Sequence, residues 1–128
     1  SLPNYNQAVQ TYQKVAKTTS NPRELESSLL SKAAGNLQRV KDNWDSDPGA
    51  LRSALRFNHQ IWTVLISSVI REDSPLPADL RQNVANLGVF IRGQTVELEL
   101  NPQQAKLDTL ININRELSVG LSAVKDAA

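Results

Sequence analysis

The chain has 128 residues, enough for one domain that buries about two-thirds of its unfolded surface without metal or disulfide support. It has no cysteine, which excludes a disulfide framework, thiolate metal sites and thiol redox chemistry. Six basic and three acidic residues fall in positions 1–43 and eight and ten in positions 44–128, a balance too even for a protein whose principal partner is a phosphate backbone.

Prolines cut the chain into helix-sized pieces. Before the first of these breaks, Tyr5, Ala8, Val9, Tyr12, Val15 and Ala16 recur at i, i+3, i+4 and i+7 and predict an amphipathic helix. Asn21-Pro22 predicts the next start. Asn21 can accept from an orphan backbone N–H one turn on, Pro22 needs no bond at the first helical position, and Glu24 stands where a capping box places it. Leu25, Leu29, Ala33, Leu37, Val40 and Trp44 form the apolar stripe of this piece. Arg23, Glu26, Lys32, Arg39 and Lys41 lie mostly away from it and predict a wet face.

Asp47-Pro48 opens a third helix over residues 48–71. Leu51, Ala54, Leu55 and Phe57 lead into an apolar run from Ile61 to Ile70 that covers most of the circumference, so this helix is expected at the centre, with Trp62 in the core. Ser74-Pro75-Leu76-Pro77 predicts a fourth start near residue 76. Leu80, Val84, Leu87, Ile91, Thr95 and Leu98 fit one helical stripe there, while Val89, Phe90 and Val96 fall off it. Gly88 and Gly93 weaken that helix by about 1 kcal/mol each relative to Ala. A hairpin competes, because Thr95 to Leu100 alternates with period two and Gly93-Gln94 could turn it from Val89-Phe90-Ile91. Helix is preferred, since an isolated hairpin has no sheet to join. Asn101-Pro102 predicts a last start near residue 102, and Leu107, Leu110, Ile111, Asn114, Leu117, Leu121 and Val124 hold helical spacing beyond it. The expected fold is an all-α, single-domain bundle of about five helices over residues 1–128, with residues 48–71 as the buried central helix.

Constellations for chemistry are missing. His59 is the only histidine and reads as a packing or capping group, and no serine sits in a G-x-S-x-G context. No Glu-x-x-His pair occurs to build a carboxylate metal site in a bundle, and no glycine-rich run occurs to cradle phosphate. The expectation is a protein that is not an enzyme and uses no cofactor, metal or small-molecule substrate. The amino terminus lacks signal-peptide regions and the longest apolar-rich run, residues 61–70, is far short of a bilayer span. A cytoplasmic protein with no membrane partner is expected.

The sequence does place polar residues among apolar ones on the helices. Asn83 and Asn86 interrupt Val84-Ala85-Leu87, Asn58 and His59 adjoin Phe57, Ile61 and Trp62, and Asn112 and Asn114 flank Ile113. Asparagine is a poor helix-interior residue, so several imply buried hydrogen bonds or a surface that grips another chain. Taken with Asn21-Pro22-Arg23-Glu24-Leu25-Glu26, Glu72-Asp73-Ser74-Pro75-Leu76-Pro77, Arg81 to Gly88 and Leu110-Ile111-Asn112-Ile113-Asn114-Arg115-Glu116, the chain resembles the FlaF family of flagellar biosynthesis regulators from about Tyr5 to Leu121. The family commonly carries arginine at position 59, so His59 departs from it and takes no role from the resemblance.

That resemblance implies a cytoplasmic, non-enzymatic factor that promotes flagellin synthesis and export, in opposition to the FlbT regulator. It leaves the mechanism open between a flagellin chaperone, a translational regulator that contacts flagellin messenger RNA, and an adaptor to other flagellar regulators or export components. The mixed charge and the apolar settings of Phe57, Trp62 and Phe90 disfavour RNA and favour a helix groove. Off-stripe apolar residues beside hydrogen-bonding groups are the expected partner-binding set: Asn83, Asn86, Val89, Phe90, Asn112, Ile113 and Arg115.

Overall fold

A computed structural model describes residues 22–124. Over them the chain forms α1 (Pro22–Asp42), α2 (Pro48–Val69), α3 (Ala78–Leu100) and α4 (Leu107–Ala123), with a 3-10 turn, Gln104–Lys106, leading into α4. There is no strand among the described residues, and residues 89–100 are helical throughout. The helix expected around residues 5–16 and the Asn21 cap lie outside the described residues.

The helix starts follow the proline signals closely at three of four places. Pro22 opens α1. Asp47 caps α2, its Oδ1 accepting from the Gly49 N–H at 2.9 Å while Pro48 fills the first helical position. Pro77 immediately precedes α3, and Asp79 sits in its first turn where a negative charge favours the helix dipole. Pro102 is a stop signal instead. Asn101 closes α3, donating its backbone N–H to the Glu97 carbonyl at 2.8 Å, and α4 begins only at Leu107. Asn101 leaves α3 with φ −144°, as the residue before a proline is disfavoured from the helical region.

The turn between α2 and α3 is held at both edges. Arg71 donates from Nε and Nη2 to the two carboxylate oxygens of Asp73 at 3.0 Å each, which holds that carboxyl below its usual range. Leu76 is buried and anchors the turn to the core.

The centre of the bundle is α2, which packs against α1 on one side and α3 on the other, while α4 closes against α1. Trp62 is the largest fully buried side chain. Its indole Nε1–H donates to Asn114 Oδ1 at 2.9 Å, and Asn114 Nδ2 donates to Asn58 Oδ1 at 2.6 Å, so a buried polar chain ties α2 to α4. On the opposite side α3 approaches α2 at Gly88. A Cβ there would lie 2.1 Å from Ile66 Cδ1 and 3.0 Å from Ile66 Cγ1, so any larger residue would force the Ile66 side chain to move.

Small hydroxyls join α1 to α4. Ser27 Oγ donates to the Ser118 carbonyl and Ser118 Oγ to the Ser27 carbonyl, both at 2.7 Å, and Ser31 Oγ lies 2.8 Å from Ser118 Oγ. Further along, Lys41 Nζ pairs with Asp108 at 2.5 Å, and Gln104 Nε2 donates to the Lys41 carbonyl at 2.8 Å. The start of α1 corrects the expectation of a wet face for Arg23 and Glu26, since both are buried. Their ion pair at 2.7 Å, with Arg23 Nη2 donating to Ser68 Oγ of α2 at 3.4 Å, keeps their charges paired inside the bundle.

Two stability tests follow from this packing. Trp62→Ala is expected to lower stability by about 3–5 kcal/mol, the usual range for deleting a buried aromatic. Asn114→Ala is expected to cost about 2–4 kcal/mol, because it leaves the Trp62 N–H and the Asn58 oxygen buried without their partner. Urea melts at constant m-value would measure both, and a parent-like midpoint for either would show that the chain is not buried in solution. The glycines of α3 should respond in opposite senses. Gly93→Ala, with no neighbouring atom within 4 Å of the new methyl, is expected to stabilise by up to about 1 kcal/mol. Gly88→Ala should destabilise, and adding Ile66→Val, which removes the clashing Cδ1, should recover much of the loss.

Candidate protein-binding surface

Helix α3 is apolar on two sides. Its inner side buries Val84, Gly88, Ile91, Thr95 and Leu98 against the bundle, with Thr95 Oγ1 donating to the Ile91 carbonyl at 2.7 Å. On the opposite side, Gln82, Asn86, Val89, Gly93, Val96 and Leu100 follow one another at alternating spacings of four and three. That is the spacing of a coiled-coil seam, one straight stripe on which another helix can lie. The stripe faces solvent, with Val89 76% exposed, Val96 50% and Leu100 82%. Phe90 stands on its edge, 43% exposed.

The seam has a polar end and charged borders. Gln82 Nε2 donates to Asn86 Oδ1 at 3.0 Å, which holds two amides together at the start of the stripe. Arg92 and Glu99, one heptad apart, border one edge beside His59 of α2. Burial and the Arg92 charge push the His59 imidazole below its ordinary range, and Glu99 opposes them. On the other edge Glu97 is paired with Lys106.

The residues expected from sequence divide between this surface and α4. Asn83, Asn86, Val89 and Phe90 are all exposed on α3, with Asn86 and Val89 in the seam and Asn83 and Phe90 on its flank. Asn112 and Arg115 are exposed on α4, and Arg115 Nη2 donates to Gln38 Oε1 of α1 at 3.5 Å. Ile113 is half-buried and packs against the core. Residues two apart on a helix do not share a face, so Ile113 and Arg115 point to different sides of α4. Gly93, Val96 and Leu100 belong to the seam but lie outside the expected partner-binding set, although Val96 falls off the core stripe with Val89 and the heptad spacing that unites them is present in the sequence.

Two clefts lie elsewhere on the surface. One of about 340 Å³ between α2 and α3 is lined by His59, Thr63, Ile66, Gly88 and Arg92. Another of about 560 Å³ beside the α1–α2 turn is lined by Asn36, Arg39, Asn43, Ser46 and Ser53. Lys32 Nζ lies 5.5 Å from the centre of the Phe57 ring. Among the described residues no three His, Asp or Glu side chains gather where they could hold a metal ion, and no helix is long and apolar enough to cross a membrane.

Comparison with known proteins agrees with the resemblance seen in the helix-opening and asparagine-bearing segments. No curated protein and no solved structure matches the chain. The family described as flagellar protein FlaF matches over residues 8–121, nearly the whole sequence. The chain, with its all-helical fold and its exposed α3 seam, belongs to the FlaF family of flagellar proteins.

Proposed function

We propose that this chain is a non-enzymatic cytoplasmic factor that promotes flagellin synthesis and export by holding an amphipathic helical segment of flagellin on the outer face of α3. The observation that carries the reading is the solvent-facing heptad stripe Val89, Gly93, Val96 and Leu100. Apolar side chains at this spacing are what a bound amphipathic helix covers, and the Gln82–Asn86 amide pair supplies hydrogen-bonding groups that orient it. The membership of a flagellar family supports flagellin as the client. Release for export requires weak binding, and a single helical stripe bordered by water is suited to that.

A second reading, direct contact with flagellin messenger RNA, draws on Arg52 and Arg56, exposed on a helix that contains no carboxylate. It is the weaker one. Trp62 is buried and the Phe57 ring already lies under Lys32, so neither offers bases a free stacking face beside Arg52 and Arg56.

Val89→Asp and Leu100→Asp are expected to weaken flagellin binding by roughly tenfold or more, and Phe90→Ala by less, because each charge would be buried against an apolar partner. Asn112→Ala and Arg115→Ala, on α4, should leave the affinity unchanged. Ile113→Asp is uninformative here, since it should unfold part of the core it packs on. Calorimetric titration with flagellin, and separately with FlbT and with leader RNA at physiological salt, would rank the readings. Unchanged flagellin affinity in both aspartate variants at parental melting temperature would remove α3 as the site, and tight RNA binding without flagellin binding would remove the chaperone reading.

A further inference from the structure

The two glycines of α3 have different explanations. A Cβ at Gly88 would meet the Ile66 side chain, but Gly93 has no neighbouring atom within 4 Å of where a Cβ would stand. Nothing in the described residues needs a glycine there, and glycine weakens a helix interior. It lies in the middle of the exposed seam, where it leaves a notch in the helix surface.

The seam is complementary to itself. When two copies of α3 run antiparallel about a two-fold axis passing near residues 94 and 95, Gly93 of each lies opposite Val96 of the other, and Val89 lies opposite Leu100. Each exposed valine at position 96 then fills the notch of the facing helix. The borders match as well. Arg92 and Glu99 lie on the same edge of the seam, and a two-fold operation sets equal edges against each other with their order reversed. Arg92 of one copy therefore comes within side-chain reach of Glu99 of the other, twice over. Glu97, on the opposite edge, is already engaged by Lys106 and does not compete for that arginine.

From this notch and charge order we infer that the chain forms an isologous dimer through α3. A single helical stripe buries less than the roughly 800 Å² per partner of a standard stable interface, so the dimer is concentration-dependent rather than permanent. Where the seam also holds the flagellin segment, the two occupants exclude each other, and self-association keeps the apolar stripe covered until the client arrives. That exclusion rests on the proposed client reading. The dimer itself does not.

Sedimentation equilibrium of the full chain without any partner, from low micromolar to near-millimolar concentration, tests the dimer alone. The expected result is a monomer–dimer equilibrium that Val96→Glu shifts to monomer by at least tenfold in Kd with an unchanged melting temperature in dilute solution. Arg92→Glu should weaken it in the same way by placing like charges across the axis, and Arg92→Glu combined with Glu99→Arg should restore it, since the swapped pair is again complementary. A monomer at every concentration, or a dimer indifferent to Val96→Glu and to the charge reversal, overturns the inference. Competition is then read by adding flagellin to the dimer. A dimer that flagellin binds without dissociating keeps the self-association and removes only the shared seam.

Discussion

The Trp62 indole is the point on which the bundle is assembled. Its ring is fully buried, its N–H is held by Asn114 of α4, and its Cε3 edge is within 3.8 Å of where a side chain at Gly88 of α3 would begin. A large aromatic with one polar atom can satisfy both requirements only in one orientation, because the hydrogen bond fixes the indole plane while the glycine notch fixes how near α3 comes. Asn58 completes the arrangement by accepting from Asn114, so that Asn114 neither donates nor accepts without a partner on α2. A purely aliphatic core at this point would bury as much area. It would not specify the rotation of α4 against α2 in the same way, since apolar contacts tolerate repacking and a buried amide pair does not.

The contact of α1 with α4 is specified by different means. Ser27, Ser31 and Ser118 are small, which lets the two backbones approach, and each hydroxyl finds an oxygen on the facing helix. Such bonds contribute little net stability each, yet slipping one helix by a turn would leave buried hydroxyls and carbonyls without partners. The paired Arg23 and Glu26 work similarly at the same N-terminal end of α1, where a buried ion pair is weak evidence for stability but costly to separate. The bundle is thus filled by leucines and registered by a few polar groups.

Much of this was legible in the chain and some was not, for identifiable reasons. Proline after Asp47 marked the start of α2 because cap and proline act within one turn, a strictly local effect. Pro102 carried the same local signature, but there Asn101 closes α3 and the next helix begins only at Leu107, which the Asn-Pro pair alone does not reveal. Arg23 and Glu26 were misplaced because helical spacing reports only which positions are apolar, whereas their burial depends on each other and on Ser68, 45 residues away. The asparagines divide in the same manner. Asn58 and Asn114 are core groups and Asn83, Asn86 and Asn112 are surface groups, and their identity alone cannot distinguish the two roles. At Gly88 the meaning of the glycine resides in Ile66, a residue on another helix.

The ambiguity of α3 has the same origin as its surface. A helix with one apolar face gives a clear period, but α3 carries a core stripe and a second stripe across from it, and their superposition blurs the helical period enough to leave a hairpin in contention. Packing on α2 decides in favour of helix, through Val84, Ile91 and Leu98, and in doing so turns Val89, Val96 and Leu100 outward. Such exposure works against solubility, and a helix needing only to cover α2 would place polar residues there, as α2 does with Arg52, Arg56 and Ser67 on its own outer side. The outward stripe is left uncovered by the described bundle. It follows heptad spacing, contains a glycine that the bundle leaves open, and is bordered by charges in an order that a facing helix can complement. These are the features on which the proposed contacts of α3 with a second helix rest.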